Sequence, residues 1–274
     1  MPLQHATDEL RRWVAEQRRA GLDDAELLSA MRSGGWQDDA AREALSLPQP
    51  PAPHARPAAP RLADEDGASH LDVDGHRVSL LCRLRKPDLA VLGELLSAEE
   101  CESLIALARP RLARSETVDT RTGASEVNAA RTSDGMFFQR GENPLCQRIE
   151  QRIARLLGWP VDHGEGLQVL RYRPGAEYKP HYDYFDPAHP GTPAVLRRGG
   201  QRVATLVIYL NTPERGGATV FPDLGLEVQP LAGHAVYFGY DQPSPATQTL
   251  HGGAPVHAGE KWVTTKWLRA HRFD

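Results

Sequence analysis

The chain has 274 residues, 40% of them hydrophobic and 25% charged, with a net charge of −4. That is an ordinary soluble profile with material for one large domain and a small one. It excludes an electrostatic footprint for nucleic acid or an anionic membrane, and no apolar run approaches membrane-span length.

The opening MPLQHATDELRRW lacks the basic-then-apolar layout of a secretory leader. Cys82, Cys101 and Cys146 are odd in number, far apart and without a CxxC. This argues against a disulfide framework or a cysteine zinc site and predicts a reduced, cytoplasmic setting.

Residues 7–46 predict three short helices. Leu10, Trp13, Val14 and Gln17 make a helical stripe after a Thr7 cap, and Gly21 ends it. Asp23 and Glu26 form a capping-box pattern before Leu27, Leu28 and Met31. Gly34-Gly35-Trp36 breaks the chain before a third helix over Asp38–Leu45. MRSGGW followed by DAAREAL resembles a ubiquitin-associated-type unit, and equally any small helical bundle; a docking role is expected, with a partner the sequence does not name. From Pro48 to Pro60, six of thirteen residues are proline, which predicts a semi-rigid tether. The expected domains are therefore 1–46 (small helical module), 47–69 (Pro/Ala-rich linker) and 70–274.

Within the last segment, SAEECESLIALARPRL (97–112) predicts a helix capped by Ser97 with Glu100 three positions on, and NPLCQRIEQRIARLLG (143–158) predicts another. Beyond it the chain breaks into short β-type runs at Gly and Pro: LQVLRY, YKPHYDYF, RVATLVIYLN, ATVFP, LEVQPLAG, HAVYFGY, HGGAPV and KWVTTKWLR. This spacing predicts a sandwich or barrel, mainly β, with the preceding helices flanking one side.

In YKPHYDYF, His181 and Asp183 are two apart, so a strand would aim both at one place. A metal needs a further ligand. His189 in a Pro/Gly loop and His271 near the last residues are expected in solvent, and His234 at a turn is expected to be structural. His251 and His257 remain. His251, expected at a strand end before Gly252-Gly253, is the better placed. Two histidines and one carboxylate would form a facial triad, an arrangement suited to non-haem Fe(II).

Three ordered stretches, VLRYRPGAEYKPHYDYF (169–185), QRVATLVIYLNTPERGGATVFP (201–222) and LHGGAPVHAGEKWVTTKWLR (250–269), resemble prolyl 4-hydroxylases, members of the Fe(II)/2-oxoglutarate-dependent dioxygenases. Upstream, ARTSDGMFF (130–138) and SAEECESLIALARPRLARS (97–115) match in the same order. The resemblance spans roughly residues 85–270 and implies a double-stranded β-helix, or jelly roll. Where collagen-type relatives commonly carry a cysteine between the distal histidine and Pro-Val, this chain has Gly252, Gly253 and Ala254.

The resemblance implies His181, Asp183 and His251 as Fe(II) ligands. It implies Lys261 as the cation for the distal carboxylate of 2-oxoglutarate, with Tyr172 assisting and Thr219 and Tyr209 as lesser candidates; Thr265 joins them as a residue on the Lys261 face of its strand. Arg131, Tyr178 and Trp267 fall where the family handles a peptidyl substrate. Along KWVTTKW, Lys261, Val263, Thr265 and Trp267 share one face, with Trp262 and Lys266 on the other. The implied reaction is 2-oxoglutarate- and O2-dependent hydroxylation of peptidyl proline at C4, with ascorbate as a further implied cofactor. The alternatives are another residue type, a free amino acid, or a non-catalytic peptide-binding jelly roll that keeps its metal. No GxSxG elbow is present.

Overall fold

The computed structural model describes residues 8–34, 36, 38–47, 59–62, 67–115, 117–118, 125–126 and 131–274. The chain divides into two compact units, Met1–Arg56 and Pro57–Asp274.

In the first unit lie α1 (Asp8–Arg19), α2 (Asp24–Ser33) and α3 (Asp38–Ala44). Asp23 caps α2, and Glu26 returns the bond to the Asp23 amide, so the capping box forms as its spacing predicts. Leu10, Val14, Leu27, Met31, Ala41 and Leu45 are buried together, with Trp36 packed against them. The expected Thr7 cap, Gly35 and most of the tether lie outside the described residues. Near the tether's end, Leu62 is buried in the core of the second unit, and the Pro60 carbonyl accepts from the Tyr237 hydroxyl at 2.6 Å.

The second unit is mostly β. Its first strands are β1 (His70–Val73), β2 (His76–Leu84) and β3 (Asp88–Gly93), which precede α4 (Ala98–Ala108). The expectation that helices come before the strands is thus corrected: a three-strand meander comes first. Then follow β4 (Ala113–Arg114), β5 (Thr117–Val118), β6 (Ser125–Glu126), β7 (Asp134–Phe137) and α5 (Pro144–Leu156). Next come β8 (Gln168–Tyr172), β9 (Tyr178–His181), α6 (Thr192–Leu196), β10 (Arg202–Tyr209), β11 (Arg215–Gly216) and β12 (Thr219–Phe221). The chain closes with β13 (Leu226–Val228), β14 (Ala235–Gly239), β15 (His251–Gly253), β16 (Val256–Ala258) and β17 (Lys261–Arg269). The helix expected over 97–112 ends earlier, because Pro110 shifts the chain into a 3₁₀ turn over Arg109–Arg111.

A large antiparallel sheet runs β1-β2-β3-β14-β10-β17-β8-β7-β4, and a smaller one runs β13-β12-β15-β9. Strand alternation decides what each face buries. On β10, Ala204, Leu206 and Ile208 pack with Cys101 and Leu104 of α4 and Ile149 and Ile153 of α5. On β14, Val236 and Phe238 turn the other way and join Phe221 of β12 and Tyr209 in a second core. Helices therefore cover one face of the large sheet, while the smaller sheet contributes to the core on the other.

Candidate metal and cosubstrate site

β9 and β15 are neighbours in the small sheet, with His181 directly opposite His251. A Cβ on Gly252 would lie 2.8 Å from the Tyr178 carbonyl oxygen, so this close strand approach needs glycine at that position. The strand ends at His181, and Asp183 sits in the bend just beyond it. The pair converges through that bend rather than by strand alternation, which corrects the simple two-apart expectation. His251 opens its strand instead of ending one.

Ligand atoms of His181, Asp183 and His251 all lie within 4.8 Å of one another. His181 Nε2 is 3.5 Å from Asp183 Oδ1, and His251 Nε2 is 3.5 Å from Asp183 Oδ2. Each imidazole Nδ1 faces a backbone carbonyl, that of Lys179 for His181 and that of Thr249 for His251, both at 3.0 Å. A carbonyl only accepts, so Nδ1 carries a proton in each ring and Nε2 is the nitrogen turned toward Asp183.

Burial, assisted by His181 and only partly countered by Asp183, pushes the His251 pKa down to about 4. Burial alone would raise the Asp183 pKa, but His251, His181 and Arg202 together hold the carboxyl well below the usual carboxylate range. Two imidazole nitrogens and one ionised carboxylate converge on one point. That donor set fits a divalent metal with a preference for nitrogen and oxygen ligands.

Lys261 begins β17 opposite Tyr172 of β8. It is buried, and burial pushes its pKa down to about 7. Its ammonium lies 5.6 Å from the ring centroids of both Tyr172 and Tyr209, and among the described residues no carboxylate pairs with it. A buried cation without a resident anion fits an anionic ligand. The Tyr209 hydroxyl donates to Thr219 Oγ1 at 2.8 Å, tying that aromatic beside the lysine.

A cavity of about 440 Å³, its open mouth included, is lined by His181, Asp183, His251, Lys261, Tyr172, Thr219, Thr265, Arg131, Tyr178 and Trp267. Apart from Tyr209, every residue expected at the site is there. Arg131 is buried, donates to Gln168 Oε1 at 2.8 Å and lies 4.8 Å over the Tyr178 ring, which in turn stacks on His181 at 3.7 Å. On β17, Val263, Thr265 and Trp267 line the cavity with Lys261, while Trp262 joins the core on the helix-covered face and Lys266 pairs with Glu150 of α5. His257, His189 and His271 are exposed and outside the metal-ligand group.

The structure adds residues that sequence reasoning missed. Thr205 of β10 donates to Asp183 Oδ2 at 2.7 Å and is itself bonded to the Tyr240 hydroxyl at 2.9 Å. Arg202 stacks 3.9 Å over Trp267, contacts the Asp183 carbonyl at 3.4 Å, and shares Glu165 with Arg269. Leu170 and Val207 complete the apolar wall. Nothing in the local pattern distinguishes these from ordinary strand residues.

A model of the 2OG-Fe(II) oxygenase superfamily matches residues 167–269. Probable prolyl 4-hydroxylase 3 of Arabidopsis thaliana is 41% identical over 209 residues, covering 69% of this chain and 71% of that protein. The chain belongs to the prolyl 4-hydroxylase family. Prolyl 4-hydroxylase 1 of the same plant is 44% identical over 201 residues, 67% of this chain and 69% of the relative. The crystal structure of a viral collagen prolyl hydroxylase from Paramecium bursaria Chlorella virus 1, a 2-oxoglutarate complex, superposes with a TM-score of 0.50. It is 31% identical and covers 66% of this chain and 95% of the viral one. As a member of this prolyl 4-hydroxylase family, the protein is an Fe(II)-dependent dioxygenase that uses 2-oxoglutarate and O2 as cosubstrates.

Proposed function

We propose that residues 70–274 form a double-stranded β-helix, or jelly roll, that hydroxylates protein-bound proline at C4. The observation that carries this reading is one cavity where the His181–Asp183–His251 group, the uncompensated Lys261, and Arg131, Tyr178 and Trp267 all meet. The names of the relatives supply the substrate class.

In this reading His181, Asp183 and His251 hold Fe(II), each histidine oriented by its backbone carbonyl. When bound, iron supplies a coupled oxidation in which 2-oxoglutarate becomes succinate and CO2 while a C–H bond becomes C–OH. Lys261 neutralises the distal carboxylate of 2-oxoglutarate, with Tyr172, Thr219 and Thr265 closing around it. The guanidinium fork of Arg131 donates to a peptide carbonyl, and Tyr178 and Trp267 offer ring faces to the proline. The apolar wall of Leu170, Val207 and Val263 keeps water from the reacting carbon.

We assign residues 1–46 to a helical docking module similar to the ubiquitin-associated type, and residues 47–69 to its linker. The shared core of the three helices supports the first assignment, and proline content supports the second. A cytoplasmic setting and ascorbate as a reductant complete the reading.

Anaerobic titration with Fe(II) and 2-oxoglutarate, followed by proline-rich peptide and O2, tests it. A visible charge-transfer band lost in Asp183→Ala, and one oxygen atom gained by the peptide at proline, are expected. A band without peptide oxidation would move the substrate to another residue or a free amino acid. No band in the wild type would leave a binding jelly roll.

A further inference from the structure

We infer that Thr205, with Tyr240 behind it, is a positioning residue that makes Asp183 a one-oxygen metal ligand. The inference rests on reading His181, Asp183 and His251 as the metal site. It concerns a hydrogen-bond chain that crosses three segments of the fold: the bend after β9, the middle of β10 and the residue just after β14.

The direction of that chain follows from proton counting. An ionised carboxylate accepts and never donates, so the Thr205 hydroxyl proton lies on the 2.7 Å contact to Asp183 Oδ2. Having spent its only proton, Thr205 must accept across the 2.9 Å contact to Tyr240, and the phenol donates. Burial, reinforced by the nearby Asp183 charge, keeps the Tyr240 proton in place by raising its pKa well above the ordinary value. Thr205 is fully buried and Tyr240 nearly so, which leaves water little access to either contact.

The two oxygens of Asp183 are therefore unequal. Oδ2 carries a charge-assisted hydrogen bond, short because one partner is ionised. Each oxygen has a histidine Nε2 at 3.5 Å, that of His181 for Oδ1 and that of His251 for Oδ2, but only Oδ2 has the Thr205 hydroxyl at 2.7 Å besides. With Oδ2 occupied, Oδ1 is the better donor to a metal, and the carboxylate is discouraged from chelating with both oxygens. That matters to a site with this stoichiometry. Three protein donors would leave metal positions open for a chelating oxoacid and O2. A two-oxygen carboxylate would take one of those places. Thr205 and Tyr240 thus defend an open position without touching it.

The test is Mn(II) binding to the metal-free, full-length protein, without 2-oxoglutarate or O2, read from the resonance signal of the free ion. Wild type is expected to bind, and Asp183→Ala to lose binding; failure of the wild type would overturn the metal-site reading itself, and this inference with it. Thr205→Val keeps the shape and removes the hydroxyl; Oδ2 is then free, but the carboxylate loses its fixed orientation, and that loss is expected to dominate and weaken Mn(II) by about 10- to 100-fold. Thr205→Ser is expected to restore binding to near wild type. If Thr205→Val binds as wild type does, or Thr205→Ser is no better than Thr205→Val, the residue only packs the core and the inference falls. Should Thr205→Val fail to fold, Tyr240→Phe carries the test. A loss of about threefold is expected from one missing neutral hydrogen bond, and unchanged affinity would overturn the role.

Discussion

Lys261 stands directly opposite Tyr172 in the β8–β17 ladder, with its ammonium 5.6 Å from that ring and no resident carboxylate among the described residues. A buried charge in this condition is an unfinished ion pair, and the missing half is the ligand's. Lys261→Ala is expected to weaken 2-oxoglutarate by about 10- to 100-fold, the worth of one charge-assisted bond. Fe(II) affinity should hold within a few fold. Isothermal titration of each ligand separately checks the split, and equal loss of both would place Lys261 in the general fold instead.

The same lysine sets a pH dependence. Its folded pKa is pushed down to about 7 by burial, so the ammonium that a carboxylate needs is present below pH 7 and is progressively lost above it. Binding of 2-oxoglutarate at higher pH requires proton uptake, and its affinity is expected to fall by up to about tenfold per pH unit. The stability of the ligand-free protein moves the other way. Between about 7 and the ordinary value of 10.5 the unfolded chain holds more protons than the folded one, so this lysine's contribution makes the fold more stable as pH rises. Calorimetry in buffers of different ionisation enthalpy reads the proton uptake directly. A flat profile in the wild type, or a slope that persists in Lys261→Arg, would rule the lysine out as its source.

Arg131 lies 4.8 Å over Tyr178 and donates to Gln168. Arg131→Lys keeps charge and loses the planar fork, so it should not rescue Arg131→Ala. Both are expected to lower kcat/KM for a proline-rich peptide by about 10- to 100-fold through KM. The 2-oxoglutarate KM should stay put. Steady-state kinetics with each substrate varied in turn decides, and a parallel rise in both KM values would point to a disturbed pocket.

On the opposite face of β17, Lys266 Nζ donates to Glu150 Oε1 at 2.6 Å, with both side chains almost fully buried. Lys266→Met leaves that carboxylate without its cation and is expected to cost about 3–5 kcal/mol of stability. Adding Glu150→Gln removes the stranded charge yet keeps an acceptor for the Gly141 amide, and should recover part of the loss. Urea denaturation of the three proteins measures it. No recovery in the double variant would mean that packing dominates over charge.

Much of the site was legible because its parts sit in short motifs. His181, Asp183 and His251 stood out in HYD and LHGG, Lys261 followed from the family resemblance, and alternation then put Val263, Thr265 and Trp267 on the face of Lys261. Thr205 could not be found that way. It sits in VATLV as an ordinary strand residue, and its partners Asp183 and Tyr240 lie 22 and 35 positions away. Only strand pairing brings them together, and pairing is not written in local pattern. Glu165, clasped by Arg202 and Arg269, escaped for the same reason. The early meander was missed because β2 mixes buried, half-buried and exposed positions without clean alternation.

β17 carries two lysines five positions apart on opposite faces, one answering to a resident glutamate and the other to a visitor. Side chains alternate with a period of two, so inserting or deleting a single residue ahead of Lys261 would exchange the faces along the whole strand. Lys261 would be driven among the apolar side chains under α5, and Trp262, Thr264 and Lys266 would be turned into the cavity. The fold would lose an internal ion pair and the pocket its cation in one event. A change of length here acts on every side chain of the strand at once, where a substitution acts on one.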